Sequence, residues 1–172
     1  MPSNTSLPNL ETRSPRATQR AAMRFALSLH PGDVIALSGP LGSGKTCFAR
    51  GIIAALASNP DQFQGSPSFA LVQEYPSPLA TLCHFDFYRI NSPEELLAIG
   101  WYDYLSPRHI CLVEWADRFP HLLPTRSLWL RFDITGPHSR RIAVASHPST
   151  TSNLSLYPFP TPPSDKPHSP PP

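Results

Sequence analysis

Gly39-Pro40-Leu41-Gly42-Ser43-Gly44-Lys45-Thr46 fits the spacing G-x-x-x-x-G-K-[ST] without a mismatch. Each residue type in that spacing has a use. Glycines at Gly39, Gly42 and Gly44 let successive backbone N–H groups turn inward on phosphate oxygens. Leu41 and Ser43 lie between them, and Cys47 follows where a helix would begin. The N-terminus of that helix adds positive partial charge to the same spot. The Lys45 ammonium reaches the β- and γ-phosphates of a nucleotide, and the Thr46 hydroxyl ligates Mg²⁺. The chemistry implied is the gripping of a triphosphate.

Three further groupings carry chemical side chains. Ile110-Cys111-Leu112-Val113 is a wholly apolar run that stops at Glu114. A buried strand ending in an acid beside such a loop supplies a metal-side carboxylate. Glu114 would hold a Mg²⁺-bound water or polarise the attacking water; the plainer alternative is a surface glutamate after a strand. His84-Phe85-Asp86-Phe87-Tyr88-Arg89 alternates polar and aromatic residues. On a strand, His84, Asp86 and Tyr88 share one face and the two phenylalanines the other. Asp86 is then a candidate proton acceptor and Arg89 a candidate partner for phosphate or carboxylate. The competing reading is a half-exposed edge strand with a solvated polar side. His84 with Asp86 also imitates a metal pair, but no third ligand stands at zinc spacing. Gly65-Ser66-Pro67-Ser68-Phe69 sits where a γ-phosphate can order a loop. An ordinary Ser/Pro turn is the simpler account of it.

These groups need elements to position them. Ala22, Phe25, Ala26 and Leu29 fall at helical spacing, so residues 16–29 are predicted to form an amphipathic helix. Pro31-Gly32-Asp33 stops it, and Val34-Ile35-Ala36-Leu37-Ser38 is a buried strand running into the glycine-rich loop. Cys47–Ala57 is the helix running out of that loop, with Gly51 inside it at a cost of about 1 kcal/mol relative to alanine. Phe69–Tyr75 and Thr81–Tyr88, separated by Pro76-Ser77-Pro78, read as an antiparallel hairpin. Ser92-Pro93-Glu94-Glu95 opens a helix through a capping box, and Gly100 closes it. Leu128–Ile134 and Arg141–Ser146 alternate around Gly136-Pro137 as a terminal hairpin.

Bulk composition bounds the answer. The 172 residues suffice for one domain with a real core. Fourteen Lys and Arg against twelve Asp and Glu leave a net charge of +2, with no dense basic run to serve as a nucleic-acid footprint. Three scattered cysteines suggest neither zinc nor a disulfide framework and read as buried, reduced thiols. No apolar run reaches about 18 residues, so no membrane span is expected. The first ten residues lack a secretory pattern. A reduced cytoplasm is the expected location. Residues 1–11 are expected to be a flexible N-terminus, 12–147 the folded domain, and 148–172 a disordered tail rich in Pro, Ser and Thr.

Taken together, these segments resemble the TsaE (YjeE) family, bacterial ATPases of tRNA threonylcarbamoyladenosine (t6A) biosynthesis. The resemblance runs through Pro31–Gly39, Leu41–Thr46 and Phe48-Ala49-Arg50-Gly51. It continues in Ser66-Pro67-Ser68-Phe69, His84–Arg89 and Glu114-Trp115. It implies an α/β P-loop NTPase-like three-layer fold, with a mostly parallel central sheet and an antiparallel hairpin inserted after the loop helix. It implies ATP and Mg²⁺ as cofactors, and docking on a TsaB–TsaD complex that modifies adenosine 37 of tRNA. The chain would meet tRNA only indirectly, and neither DNA nor membrane. By position, Lys45 and Thr46 take the phosphate and metal roles, Asp86 the catalytic acid and Glu114 the metal-side acid with Trp115 beside it. Thr12 matches an adenine-side threonine. Ser68 stands where the family usually has Thr, and Pro40 replaces a commonly acidic residue.

Two other functions share the loop. A small-molecule kinase needs an arginine-bearing lid; Arg118, Arg126 and Arg140–Arg141 are available, but no lid-like helix pair is evident. A nucleotide-dependent binding module would bind without turnover. A GTPase is disfavoured, because no Asn-Lys-x-Asp motif occurs.

Overall fold

A computed structural model describes residues 9–147. Seven strands form one sheet: β1 (Leu10–Thr12), β2 (Val34–Ser38), β3 (Val72–Tyr75), β4 (Thr81–Asp86), β5 (His109–Glu114), β6 (Leu128–Ile134) and β7 (Arg140–Ala145). Their order across the sheet is β1-β7-β6-β2-β5-β4-β3. Four helices accompany them: α1 (Pro15–Ala26), α2 (Lys45–Leu56), α3 (Pro93–Ala98) and α4 (Trp101–Tyr104).

The class is α/β, as expected, but the sheet is mixed rather than mostly parallel. The central pairs β6–β2, β2–β5 and β5–β4 are parallel, while β1–β7, β7–β6 and β4–β3 are antiparallel. For β3–β4 and β6–β7 the reason is local, because short turns allow only antiparallel partners; β1 instead joins the free edge of β7 from the far end of the domain's sequence. The predicted hairpins are both present, as β3–β4 and β6–β7.

Buried strands with apolar residues on both faces demand cover on both sides. In β2, Ile35 and Leu37 join a core with Phe25, Phe48, Ile52 and Ile53 of α1 and α2. Val34 and Ala36 join the opposite core with Phe85, Phe87, Trp101 and Trp129. Each large apolar side chain so buried contributes about 1.5–3 kcal/mol. The aromatic face predicted for His84–Arg89 is therefore packed core, with Phe85 set edge-on to Trp101 at 5.0 Å.

Local signals explain the ends. Ser14 caps α1 by accepting from the Ala17 amide at 3.1 Å, and Pro15 takes the first turn. Gly51 is required by packing: a Cβ there would stand 2.5 Å from the Gln19 carbonyl oxygen and 2.6 Å from the Ala22 Cβ. The helix-interior glycine thus lets α1 and α2 touch backbone to backbone. Ser92 precedes α3 without a side-chain cap; Glu95 instead accepts from the Asn91 amide at 3.3 Å, so the capping box is displaced by one residue.

Several expectations need correction. Leu10 and Glu11, expected in a flexible terminus, pair with Ile142 and Arg141 as β1. Phe69–Leu71 are not strand, because Leu71 turns through a positive φ of 66°. The second hairpin strand ends at Asp86, not Tyr88. It is an interior strand, so the half-exposed edge reading does not hold; β3 is the edge. Cys83 and Cys111 are buried and free, but Cys47 is only half-buried. The expected tail at 148–172 lies outside the described residues.

Candidate functional site

Register brings three parallel strand ends together. Leu37 pairs with Glu114, and Glu114 pairs with Asp86 on its other side. The glycine-rich loop leaves β2 one residue after Ser38. Ligands of open α/β sheets bind outside such carboxyl ends. Here the ends border a cavity of about 560 Å³.

The loop wall of the cavity is Leu41, Gly42, Gly44, Lys45, Thr46 and Cys47. Gly39 lies behind it with φ +138°, and a Cβ there would stand 2.4 Å from the Phe132 carbonyl oxygen. Gly44 begins α2 in the left-handed region at φ 101°, which turns the chain abruptly into the helix. Ser43 is fully buried beneath the loop. Lys45 is buried to 4% exposure. Its Nζ donates to the Gly39 and Pro40 carbonyls at 2.7 and 2.9 Å. Burial lowers the ammonium's pKa from the usual lysine value, while Glu114 first, then Asp117 and Asp86, pull it back up. The Trp115 ring lies over Nζ at 3.9 Å to its centroid, a cation–π contact. Trp115 reaches that place through a left-handed backbone at φ 57°. A non-glycine residue there costs about 1–3 kcal/mol.

The two predicted acids occupy adjacent but different settings. Glu114 accepts from Thr46 Oγ1 at its Oε2, at 2.8 Å. Its Oε1 lies 2.8 Å from His84 Nε2, with both residues buried. Asp86 accepts from the Tyr88 amide at Oδ1, at 2.8 Å. Its Oδ2 accepts from Ser68 Oγ at 2.6 Å and also from Ser66 Oγ. The Ser66–Ser68 stretch, for which an ordinary turn was the simpler reading, is thus tied to a predicted catalytic acid.

Other site residues fall differently from expectation. Thr12 is buried in β1 with its Oγ1 2.8 Å from Thr18 Oγ1. Thr18, Ser14 and Pro15 face the cavity, whereas Thr12 stands behind Thr18. His84 does not join Asp86 in an open polar row: it is sealed under Phe63, ring on ring at 5.9 Å. Arg89 lies over the exposed Phe69 ring at 4.1 Å. Arg140 reaches the loop from β7, donating to the Gly42 carbonyl at 3.1 Å. The sequence marks Arg140 only as one of several available arginines. Among the described residues, no three His, Cys, Asp or Glu cluster as a metal centre. None of the described helices is long and apolar enough to cross a membrane.

A glycine-rich loop, two strand-end acids and a serine pair bound to one of them meet at one cavity. Residues 12–142 match the family described as threonylcarbamoyl adenosine biosynthesis protein TsaE. This chain belongs to the TsaE family. The TsaE of Rickettsia bellii is 40% identical over 65% of this chain and 76% of its own length. The TsaE of Bacillus subtilis is 34% identical over 78% of this chain and 83% of its own. Both are named tRNA threonylcarbamoyladenosine biosynthesis proteins. The crystal structure of Bacillus subtilis YdiB superposes with a TM-score of 0.65 at 28% identity, covering 83% of this chain and 86% of that one. Membership of the TsaE family makes this a protein of t6A biosynthesis.

Proposed function

We propose that the chain is a Mg²⁺-dependent ATPase of the three-layer P-loop type, serving t6A modification of adenosine 37 in tRNA beside a TsaB–TsaD complex in the cytoplasm. The observation that carries this reading is the juxtaposition of Lys45 and Thr46 with two strand-end carboxylates on neighbouring register positions.

The residues present fit the nucleotide and its metal. Gly39 leaves no room for a Cβ against the Phe132 carbonyl, so the loop can lie directly on β6, and Gly42 and Gly44 present bare backbone at the cavity. Thr46 donates its hydroxyl hydrogen bond to Glu114, which leaves the oxygen's lone pairs available to a cation. The Thr46 hydroxyl and the Glu114 carboxylate are oxygen donors, which suits Mg²⁺, a cation that keeps waters and leans on substrate phosphates. Bound MgATP supplies the anhydride to be cleaved and a divalent charge that offsets the phosphates.

The side chains then divide the work. Main-chain amides from Gly39 and Leu41 through Cys47 would hold the phosphates. Lys45, already desolvated beneath Trp115, offers its ammonium without having to shed bulk water. Glu114 Oε2 accepts the Thr46 hydroxyl hydrogen bond and so would turn the oxygen's lone pairs toward a bound metal. Asp86 presents Oδ2, whose present partners are hydroxyl donors, as the acceptor for the attacking water's proton. Thr18, with Thr12 behind it, lines the α1 side of the cavity, where the base would lie.

Phosphate release with water as sole acceptor, then with purified TsaB–TsaD added, tests the proposal. Release dependent on Mg²⁺ and raised by the partners is the expected result. An absolute need for a small hydroxylated acceptor would make the chain a kinase. Nucleotide binding without release under every condition would make it a binding module.

A further inference from the structure

Glu114 is held from behind as well as from in front. His84 Nε2 stands 2.8 Å from Glu114 Oε1, and Thr46 Oγ1 donates to Glu114 Oε2 at 2.8 Å. His84 is fully buried, and its other ring nitrogen, Nδ1, has no hydrogen-bond partner. Phe63 covers one ring face, with the planes only 15° apart. The imidazole therefore has one polar contact, and that contact is Glu114.

We propose that His84 is a positioning residue for nucleotide turnover: its Nε2–H pins Glu114 Oε1, and this aims Oε2 at the Thr46 hydroxyl. A carboxylate shared between two donors, one from each oxygen, has its rotation about the terminal bond removed. With the proton on Nε2, the buried donor faces an anionic acceptor, the strongest pairing open to it. With the proton on Nδ1, a buried N–H would point at no acceptor, and Nε2 would turn a lone pair toward Glu114. The stacked Phe63 ring fixes the imidazole plane, so the tautomer also fixes direction. Partners that orient a metal-side group commonly change affinity or activity by about 10–100-fold when removed.

The inference rests on the proposed ATPase reading for its kinetic consequence, but not for the tautomer. Histidine ¹⁵N correlation spectra of the full-length protein, without nucleotide, read the tautomer directly. A protonated Nε2 on His84 is expected; a pyridine-like Nε2 would overturn the proposal. Two substitutions then separate positioning from packing. His84→Phe keeps a ring against Phe63 and removes the donor. His84→Gln keeps an N–H at the end of the side chain. With TsaB–TsaD present, His84→Phe is expected to lower kcat about tenfold or more, to raise the Mg²⁺ concentration for half-maximal rate, and to leave KM for ATP within about threefold. His84→Gln is expected to recover most of kcat. A folded His84→Phe with wild-type kcat and Mg²⁺ dependence, or a folded His84→Gln as slow as His84→Phe, would overturn the proposal. If His84→Phe does not fold, His84→Gln and the spectra decide: near-wild-type rate with the Nε2–H tautomer supports it, and a tenfold loss or the other tautomer sinks it. A wild-type protein that releases no phosphate would instead count against the ATPase reading, while the spectra still decide the tautomer.

Discussion

Asp86 and Glu114 end neighbouring strands at paired register positions, yet they are held by different kinds of structure. Glu114 is fastened to a helix residue and a strand residue, Thr46 of α2 and His84 of β4. Asp86 is fastened to Ser66 and Ser68 in the stretch between α2 and β3, and to the Tyr88 amide in the turn just past its own strand. A carboxylate gripped by regular elements keeps its direction. One gripped by a loop can exchange its partners when the loop moves. The difference suits Glu114 to the constant task of orienting a hydroxyl, and Asp86 to a proton acceptor whose hydroxyl partners give way to water.

Substitutions can break or sharpen that contrast. The largest effect belongs to the anchor both acids face: Lys45→Ala is expected to abolish ATP binding, read by calorimetry, because the ammonium beneath Trp115 is the cation carried by the glycine-rich loop itself. Unchanged affinity would remove the basis for assigning either acid. Asp86→Asn is next: turnover falls about 10²-fold or more while ATP still binds, as expected for loss of a proton acceptor. Wild-type turnover in that variant would hand the water to Glu114 and erase the division. For Glu114→Gln, the half-saturating Mg²⁺ concentration is the measurement; it rises about 10–100-fold, whereas in Asp86→Asn it stays near wild type. Equal Mg²⁺ shifts in both variants would show that the acids share one role. The smallest effects are those of Ser66→Ala and Ser68→Ala. Each removes one of two donors to the same oxygen, so thermal unfolding is expected to report about 1 kcal/mol or less of destabilisation per variant. A larger loss from either serine would mean that the loop is as firmly built as the Glu114 side.

The same contrast shows how far the residues alone can be read. Glu114 could be singled out because an apolar run stopped at an acid, and Asp86 because polar and aromatic residues alternated around it. Alternation places His84 and Asp86 on one face of a strand. It does not say that Phe63, twenty-one positions earlier, would roof that face over His84 and leave Asp86 at the cavity. The edge-strand alternative fails for the same reason: strand order depends on which segments pair, and β4 lies between β5 and β3. Ser66 and Ser68 looked like turn residues because turns use serine; only their closeness to Asp86 gives them another task. Gly51 looked like a local penalty until α1 was found against it.

Short-range patterns, then, were settled by the chain's own order of residues. The glycine-rich loop, the helices beside it, both hairpins and the two acids as candidates follow from steric and hydrogen-bonding preferences that act over a few residues. What needed the folded molecule was every relation across long sequence separation: the mixed sheet, Trp115 over Lys45, Thr18 rather than Thr12 at the cavity, and His84 behind Glu114. Such contacts arise from packing two apolar cores against one sheet. Local preference is silent about which distant side chain that packing will bring within hydrogen-bond reach.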